Sequence, residues 1–123
     1  DACVEIFIGD KDNTHYWNFE FNPAGVCNAS HRKERKVDVV RLDPEQLASI
    51  QRYGQQLCAA HWTLLIGIPL SLIELDLTKE HSRRANLYKC GDKTPMKHYA
   101  SWNPIEAEVP AFHLPEFFGE IQF

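Results

Sequence analysis

The sequence of 123 residues is short of positive charge and of long apolar runs. It has 13 Lys and Arg against 17 Asp and Glu, a net charge of −4, and Glu34 breaks its basic run at residues 31–36. Phosphate binding needs clustered positive charge, so we expect no nucleic-acid partner and a solvated turn at this run. Pro69 interrupts the longest apolar stretch, around residues 64–72, well short of the about 20 residues that span a membrane.

Several catalytic and metal motifs are also missing. There is no Gly-x-Ser-x-Gly elbow, Walker loop or Rossmann glycine pattern, and the six histidines lack a metal-ligand spacing such as HxxxH. The four cysteines, at positions 3, 27, 58 and 90, include no CxxC pair, which gives a structural zinc site little support. Four cysteines allow three disulfide pairings, and free thiols are equally compatible with the sequence.

Alternation of apolar and polar residues is the main structural signal. Positions 4, 6 and 8 are apolar in residues 2–8, and positions 17, 19 and 21 are apolar in residues 15–22. A period of two is typical of strands that bury one face, so we predict a hairpin with a turn near Asn13. Trp17 and, farther along, Trp62 fall in register with apolar positions and are predicted to be core residues.

The rest of the chain predicts more short strands and little helix. Asp43 can cap a helix that Pro44 begins, and we predict that it ends near Gly54, with one more helical turn over residues 71–75. Further strands are predicted over residues 36–42, 61–70, 83–90, 98–103 and 117–123. About seven strands with one or two short helices indicate an all-β fold, an antiparallel β-sandwich or jelly roll.

This number of strands is small for a sandwich of two sheets. Strand-like sequence also begins directly after Asp1. We therefore expect N-terminal strands of the same domain to precede Asp1, so that residues 1–123 form the C-terminal part of a single β-sandwich domain. Open sheet edges would favour a dimer partner or other domains of a longer chain that complete the sandwich.

Polar side chains on the predicted strands form a candidate binding surface. Asn18 and Glu20 share one strand face with Tyr16, and Glu5 and Asn86 lie on other strands of the same alternating kind. Carboxylates and amides match the vicinal hydroxyls of sugars, which both donate and accept hydrogen bonds. The alternative interpretation is that these residues form the hydrated face of a sheet.

The closing segment, residues 101–123, contains one Trp, four Phe and three Pro and lacks Lys and Arg. Its prolines restrict the backbone, so the segment could present Trp102 as a stacking platform for a pyranose ring, with Tyr99 and His98 nearby. Alternatively, its phenylalanines pack the segment over the open end of the sandwich. Both interpretations are compatible, with the phenylalanines as anchors.

Several stretches together resemble a known family. In order, these are "DACVEIFI", "HYWNFEFNPAG", "WTLLIGIPLSLI", "RRANLYKCGD" and "HYASWNPIEAEVPAFHLPEFFGEIQF". They are similar to family 9-like carbohydrate-binding modules, β-sandwich domains of glycan-degrading bacteria that are related to modules attached to xylanases. The resemblance covers nearly the whole chain, and its most specific part is the closing segment.

The resemblance implies which residues contact the sugar. Glu5 resembles the family's carboxylate after an Asp-x-x-Val pattern, and Asn18 lies where the xylanase modules have an Arg. Asn86 resembles the amide of the "RAN" strand, and Trp102 is the candidate aromatic contact. One aromatic residue of the family's clamp would lie before Asp1.

The resemblance also bears on cofactors. It implies no required cofactor, although some members hold structural calcium near the site. Asp10, Asp12 and Asp92 could serve as calcium ligands, but they do not have EF-hand spacing.

We therefore expect a non-catalytic, bacterial carbohydrate-binding module that takes part in glycan recognition or polysaccharide catabolism. It would be secreted, periplasmic or on the cell surface, and would bind mono- or oligosaccharides weakly. One alternative is a glycoside hydrolase or its accessory domain, with Glu5 and Glu20 as paired carboxylates. The other is a structural or protein-interaction sandwich without a sugar site, in which Trp102 would be buried and Asn18 and Asn86 would hydrogen-bond only to neighbouring residues.

Overall fold

The first alternating segment becomes the centre of a large sheet in the computed structural model, which describes residues 2–123. Strand β1 (Cys3–Gly9) pairs antiparallel with β2 (Tyr16–Phe21). The Asp10 carboxylate closes the connection by accepting hydrogen bonds from the backbone N–H groups of Thr14 and His15, at 3.0 and 3.1 Å. The predicted hairpin is confirmed.

Within residues 2–123, nine strands form two antiparallel sheets, which confirms the all-β sandwich. The remaining strands are β3 (Cys27–Arg32), β4 (Val40–Arg41), β5 (Gln51–Cys58), β6 (His61–Gly67), β7 (Ser82–Gly91), β8 (His98–Ser101) and β9 (Gly119–Gln122). The larger, seven-stranded sheet has the order β4-β3-β2-β1-β7-β8, with β9 also paired to β7. Strands β5 and β6 form the smaller sheet.

Helix is confined to one short α-helix and two 3₁₀ turns in the described residues. Helix α1 (Pro44–Ala48) has the predicted cap, because the Asp43 side chain accepts a hydrogen bond from the backbone N–H of Gln46 at 2.8 Å. The 3₁₀ turns are Leu70–Ile73, which was predicted, and Pro115–Phe117.

Two predicted elements differ from the structure, and one strand was missed. The helix ends at Ala48 and not near Gly54, because residues 51–58 pair with the apolar β6 as a strand. Strand β3 was missed, since part of it was read as a solvated turn. The strand predicted over residues 36–42 is reduced to Val40–Arg41, which pairs with β3.

One face of the large sheet carries the main core. Ile8, Trp17 and Phe19 are buried there against Ile73 and Leu75, which follow the smaller sheet. Leu64 and Ile66 of β6 pack on the same cluster from the opposite side. The core assignment of Trp17 is confirmed, whereas Trp62 is only half-buried.

The other face of the large sheet carries a second, smaller aromatic cluster. Phe7, Tyr16, Tyr88 and Phe118 are buried in it, and Phe112 packs against them. Phe112 and Phe118 belong to the closing segment, so its phenylalanines do anchor it, on this second face of the sheet. One sheet thus separates the main apolar core from a second layer that is aromatic and polar.

The smaller sheet is only two strands wide in the described part of the chain. Tyr53 of β5 and Leu65 of β6 are register partners, and both are about two-thirds exposed, at 66% and 69%. None of the helices described here has the length and apolar character that crossing a membrane would require.

We expect Phe19→Ala to be strongly destabilising, because Phe19 is fully buried at the centre of the main core. The loss should be roughly 3–5 kcal/mol of unfolding free energy, measured by urea denaturation. Val40→Ala is the control, since Val40 is 65% exposed, and it should change stability by no more than about 0.5 kcal/mol. Equal effects of the two substitutions would contradict this assignment of the core.

Candidate functional site

A polar cavity lies between the large sheet and the closing segment. Its volume is about 450 Å³. Strands β1 and β2 contribute two carboxylates, and residues at the end of β7 and on β8 form one side. Residues 110–113 of the closing segment cover the cavity and form its roof. The cavity is lined by Glu5, Glu20, Arg35, Cys90, Asp92, Tyr99, Pro110, Ala111, Phe112 and His113.

Glu5 and Glu20 form a cross-strand pair of carboxylates in this cavity. They are direct register partners of β1 and β2 on the same face of the sheet. Burial, and then the negative charge of Glu20, raise the pKa of Glu5 to about 7, against an ordinary value of 4.5. Glu5 therefore changes its charge near neutral pH, and each form offers oxygen atoms for hydrogen bonds to hydroxyl groups.

Two aromatic rings also line the polar cavity. Tyr99 is the register partner of Cys90 in the β7–β8 pair, and its ring centroid lies 6.0 Å from that of Phe112. The Tyr99 hydroxyl donates a hydrogen bond to the Asp92 carboxylate, and the Lys97 ammonium lies 5.9 Å from the centre of the Tyr99 ring. These contacts fix the ring at the mouth of the cavity.

His113 of the closing segment is a neutral group in the cavity wall. Burial, helped by the charges of Arg32 and Arg35, lowers its pKa to about 4. Its Nδ1 lies 2.7 Å from the hydroxyl of Tyr16, whose pKa burial raises to about 12. With the protonated Tyr16 hydroxyl as donor, Nδ1 accepts the hydrogen bond and Nε2 carries the proton of the ring.

Asn86, a predicted contact residue, is fully buried on β7. Its Oδ1 accepts hydrogen bonds from the backbone N–H groups of Asn103 at 2.8 Å and Leu87 at 2.9 Å. Its Nδ2 donates to the backbone carbonyls of Asn103 at 3.1 Å and Phe117 at 3.4 Å. The amide therefore ties the closing segment to the sheet.

Asn18, the second predicted amide, is buried on β2, two residues before Glu20 and on the same face. Its Oδ1 has no hydrogen-bond partner among the described residues. Asn18 does not line the polar cavity. A buried acceptor without a donor is costly, so a water or another donor beside its Oδ1 would be stabilising.

Trp102 lies apart from the polar cavity. Its indole ring covers Gly119, since a β-carbon added there would lie 2.7 Å from Cζ3 of Trp102. Gly119 is the register partner of Ala85, a member of the main core. Trp102 is 52% exposed and does not line the cavity, so the structure brings Glu5, Glu20 and Tyr99 together without Trp102.

A possible metal-ligand group lies beside the cavity. Ligand atoms of Cys3, Glu5 and Glu20 all lie within 4.8 Å of one another. Two of the three aspartates considered for calcium have other partners: Asp10 accepts from Thr14 and His15, and Asp92 accepts from Tyr99. Calcium binding stays a prediction, and Asp1, with the start of the Asp-x-x-Val pattern, lies outside the described residues.

Arg35, Phe112 and His113 are among the cavity residues that the sequence analysis did not assign to a site. They lie outside the strands, so no alternation in the sequence marks the direction of their side chains. The only available signal was the aromatic and proline content of the closing segment.

Comparison with known proteins gives two findings. The family model described as carbohydrate-binding family 9 matches residues 1–123. The chain is also similar to the crystal structure of a "putative carbohydrate-binding protein" from Bacteroides uniformis, with 31% sequence identity and a TM-score of 0.85. That match covers 100% of this chain and 61% of the other, so this chain spans less than two thirds of that protein's length. No curated protein matches the chain.

We expect Glu5 to make stability fall as pH rises from about 4.5 to about 7. Its pKa is raised in the folded state, so over this window the folded protein binds more protons than the unfolded chain. Glu5→Gln should reduce the fall by about 1–3 kcal/mol and be more stable than the parent at pH 8. Urea denaturation at several pH values measures this.

The control for that experiment is Glu108→Gln, because Glu108 is an exposed residue of the closing segment. Its pH profile should follow that of the parent protein. An unchanged pH profile in the Glu5 variant would contradict the assignment of the raised pKa to Glu5.

Proposed function

Because this chain belongs to carbohydrate-binding family 9, as the sequence resemblance indicated, we propose that the polar cavity binds a mono- or oligosaccharide without breaking a bond. The observation that carries the proposal is that the paired Glu5 and Glu20 line one cavity of about 450 Å³ together with Tyr99 and Phe112. Sugars have polar edges and apolar ring faces, and this cavity offers a partner for each.

The carboxylates would bind the hydroxyl groups. An ionised Glu5 accepts hydrogen bonds from two adjacent hydroxyls, and Arg35, which lines the same cavity, donates them. His113, with its proton on Nε2, is a further donor. Asn18 has a buried acceptor without a partner, and a small movement of its side chain would let a ligand hydroxyl or a bridging water satisfy it.

Tyr99 is the stacking residue that we favour, because it shares the cavity with Glu5. Trp102 remains a candidate for a second aromatic contact, since half of its surface is exposed. A longer glycan would be needed to reach both rings. Asn86, whose hydrogen bonds are all made within the protein, would act on the ligand through the position of the roof.

The biological setting follows from the same assignment. A non-catalytic module of this kind acts where glycans are recognised or degraded, so we propose a secreted, periplasmic or cell-surface location. The two-stranded sheet would gain further strands from N-terminal sequence of the same domain, from another domain or from a dimer partner. The unpaired edges of β5 and β6 in the described part of the chain support this.

The test is a calorimetric titration of the protein with a panel of mono- and oligosaccharides. We expect weak, saturable binding to at least one sugar, and Glu5→Gln and Tyr99→Ala should each reduce its affinity about 10-fold, equivalent to one strong contact. Affinity should rise as pH increases through about 7, because Glu5 then becomes an acceptor at both oxygens.

Two aromatic controls make this titration specific. Tyr53→Ala removes a 66% exposed ring on the smaller sheet and should leave affinity unchanged. Trp102→Ala should have a smaller effect than Tyr99→Ala on monosaccharides. A folded protein that binds no sugar, or variants of Tyr53 and Tyr99 with the same affinity, would contradict the proposal and favour a protein-interaction module.

Glycoside hydrolysis is the second candidate function, and the same carboxylate pair favours it. Oxygen atoms of Glu5 and Glu20 lie within 4.8 Å of each other, near the roughly 5 Å separation of carboxyl groups in retaining glycosidases. The raised pKa of Glu5 would also suit a general acid.

Turnover decides between the two functions. We expect no product from aryl glycosides or from the bound oligosaccharide during long incubations at pH 5 to 8. Product formation that is lost in both Glu5→Gln and Glu20→Gln would establish hydrolysis and remove the non-catalytic assignment. Turnover that persists in both variants would instead identify a contaminating enzyme.

A further inference from the structure

Two of the four cysteines meet at the edge of the polar cavity. Cys3, near the start of β1, and Cys90, near the end of β7, are direct register partners in the antiparallel pair. Cys90 lines the polar cavity, and Cys3 is buried beside it, where its thiol faces Glu5 at 3.8 Å between Sγ and Oε1. This juxtaposition of thiols has no use in sugar binding as described above.

The strand geometry suits a covalent link between these two residues. Directly opposed residues of an antiparallel pair have Cα atoms about 4.5–5.5 Å apart, and disulfides join residues whose Cα atoms are about 4.4–6.8 Å apart. The two thiols are also close enough that Cys90 is one of the groups that raise the pKa of Cys3. A bond between them therefore needs only a small local adjustment, because Cβ atoms of opposed strand residues lie about 4.5–5.5 Å apart and those of a disulfide about 3.5–4.5 Å.

The other cysteines are badly placed for a disulfide. Cys27 is the register partner of Phe21, so it lies on the opposite, main-core face of the large sheet. Cys58 is exposed at the end of β5, where its sulfur contacts Nδ1 of His61 at 3.3 Å. Of the three pairings that four cysteines allow, only the one that joins Cys3 to Cys90 contains a neighbouring pair.

We propose that Cys3 and Cys90 form a reversible disulfide that cross-links β1 to β7 beside the polar cavity. The oxidant is a small disulfide of the glutathione class. A thiolate attacks one of its sulfurs, forming a mixed disulfide and releasing one reduced thiol. The thiolate of the second cysteine then attacks the protein sulfur of the mixed disulfide and displaces the remaining thiol of the oxidant. The two cysteines are oxidised to one cystine, and the oxidant is reduced to two thiols that carry the two protons.

Cys90 is the better placed of the two to react first. It is only partly buried and lines the cavity, whereas Cys3 is buried and less accessible to a small disulfide. Attack by Cys90 on the small disulfide, followed by internal displacement by Cys3, is therefore the favoured order. Oxidation also removes the hydrogen bond that the Cys3 S–H donates to Glu5. The cross-link therefore changes the surroundings of a residue that lines the cavity.

The test is oxidation of the full chain with oxidised glutathione in EDTA, followed by alkylation and tryptic digestion. Cleavage after Lys11, Lys89 and Lys93 would give residues 1–11 joined to residues 90–93. We expect this cross-linked pair, two mass units below the sum of the free peptides, and its loss on reduction. The melting temperature should rise by roughly 5–15 °C, because the bond closes a long loop, and should return on reduction.

The Cys27→Ser/Cys58→Ser variant keeps only the proposed pair and should give the same cross-link and the same temperature shift. Cys90→Ser is the matched control, and its melting temperature should not respond to oxidation. The proposal is overturned if both cysteines remain open to alkylation, if each ends as a separate glutathione adduct, or if the disulfide includes Cys58. When the oxidation is repeated without EDTA, the cross-link should form to the same extent. Thiols that stay reduced there but react in EDTA would overturn the proposal in favour of a bound cation.

Discussion

The pleat of the central strands is the constraint on which the rest of the structure depends. Successive side chains of a strand point to opposite faces. Strand β1 therefore places Ile6 in the main core and Glu5 in the polar cavity. A shift of one residue in the pairing of β1 with β2 would exchange these faces and bury a carboxylate among Phe19 and Phe21. The packing of one face thereby fixes the chemistry of the other.

The parts of the fold that were predictable are those in which this alternation is unbroken. Strands β1, β2, β6 and β7 have it, and the capped start of α1 has its own local signal at Asp43. Strand β3, "CNASHR", carries small and polar residues, so its pairing with β2 comes from the neighbouring strand. The segment after Ala48 suits a helix locally, but pairing with the apolar β6 outweighs that weak preference.

The candidate site could also be predicted only in part from the sequence. That Glu5, Asn18 and Glu20 share a face could be predicted, because each lies on an alternating strand. The direct pairing of Glu5 with Glu20 depends on register, and the raised pKa of Glu5 depends on the roof that buries it. His113 enters from an irregular segment. Contacts made across long distances in the chain leave no periodic trace in the sequence.

The attachment of the roof has a consequence for how such a protein can be altered. One carboxamide, that of Asn86, holds the backbone on both sides of residues 104–116, at Asn103 and at Phe117. The floor of the cavity is held independently by the strand pairing of the large sheet. Residues 104–116 therefore lie between two fixed ends, and their positions other than Ile105, Phe112 and His113, which pack on the sheet, could be exchanged. A library of loops grafted there could be selected for new ligands while the sheet and its anchoring amide stay constant.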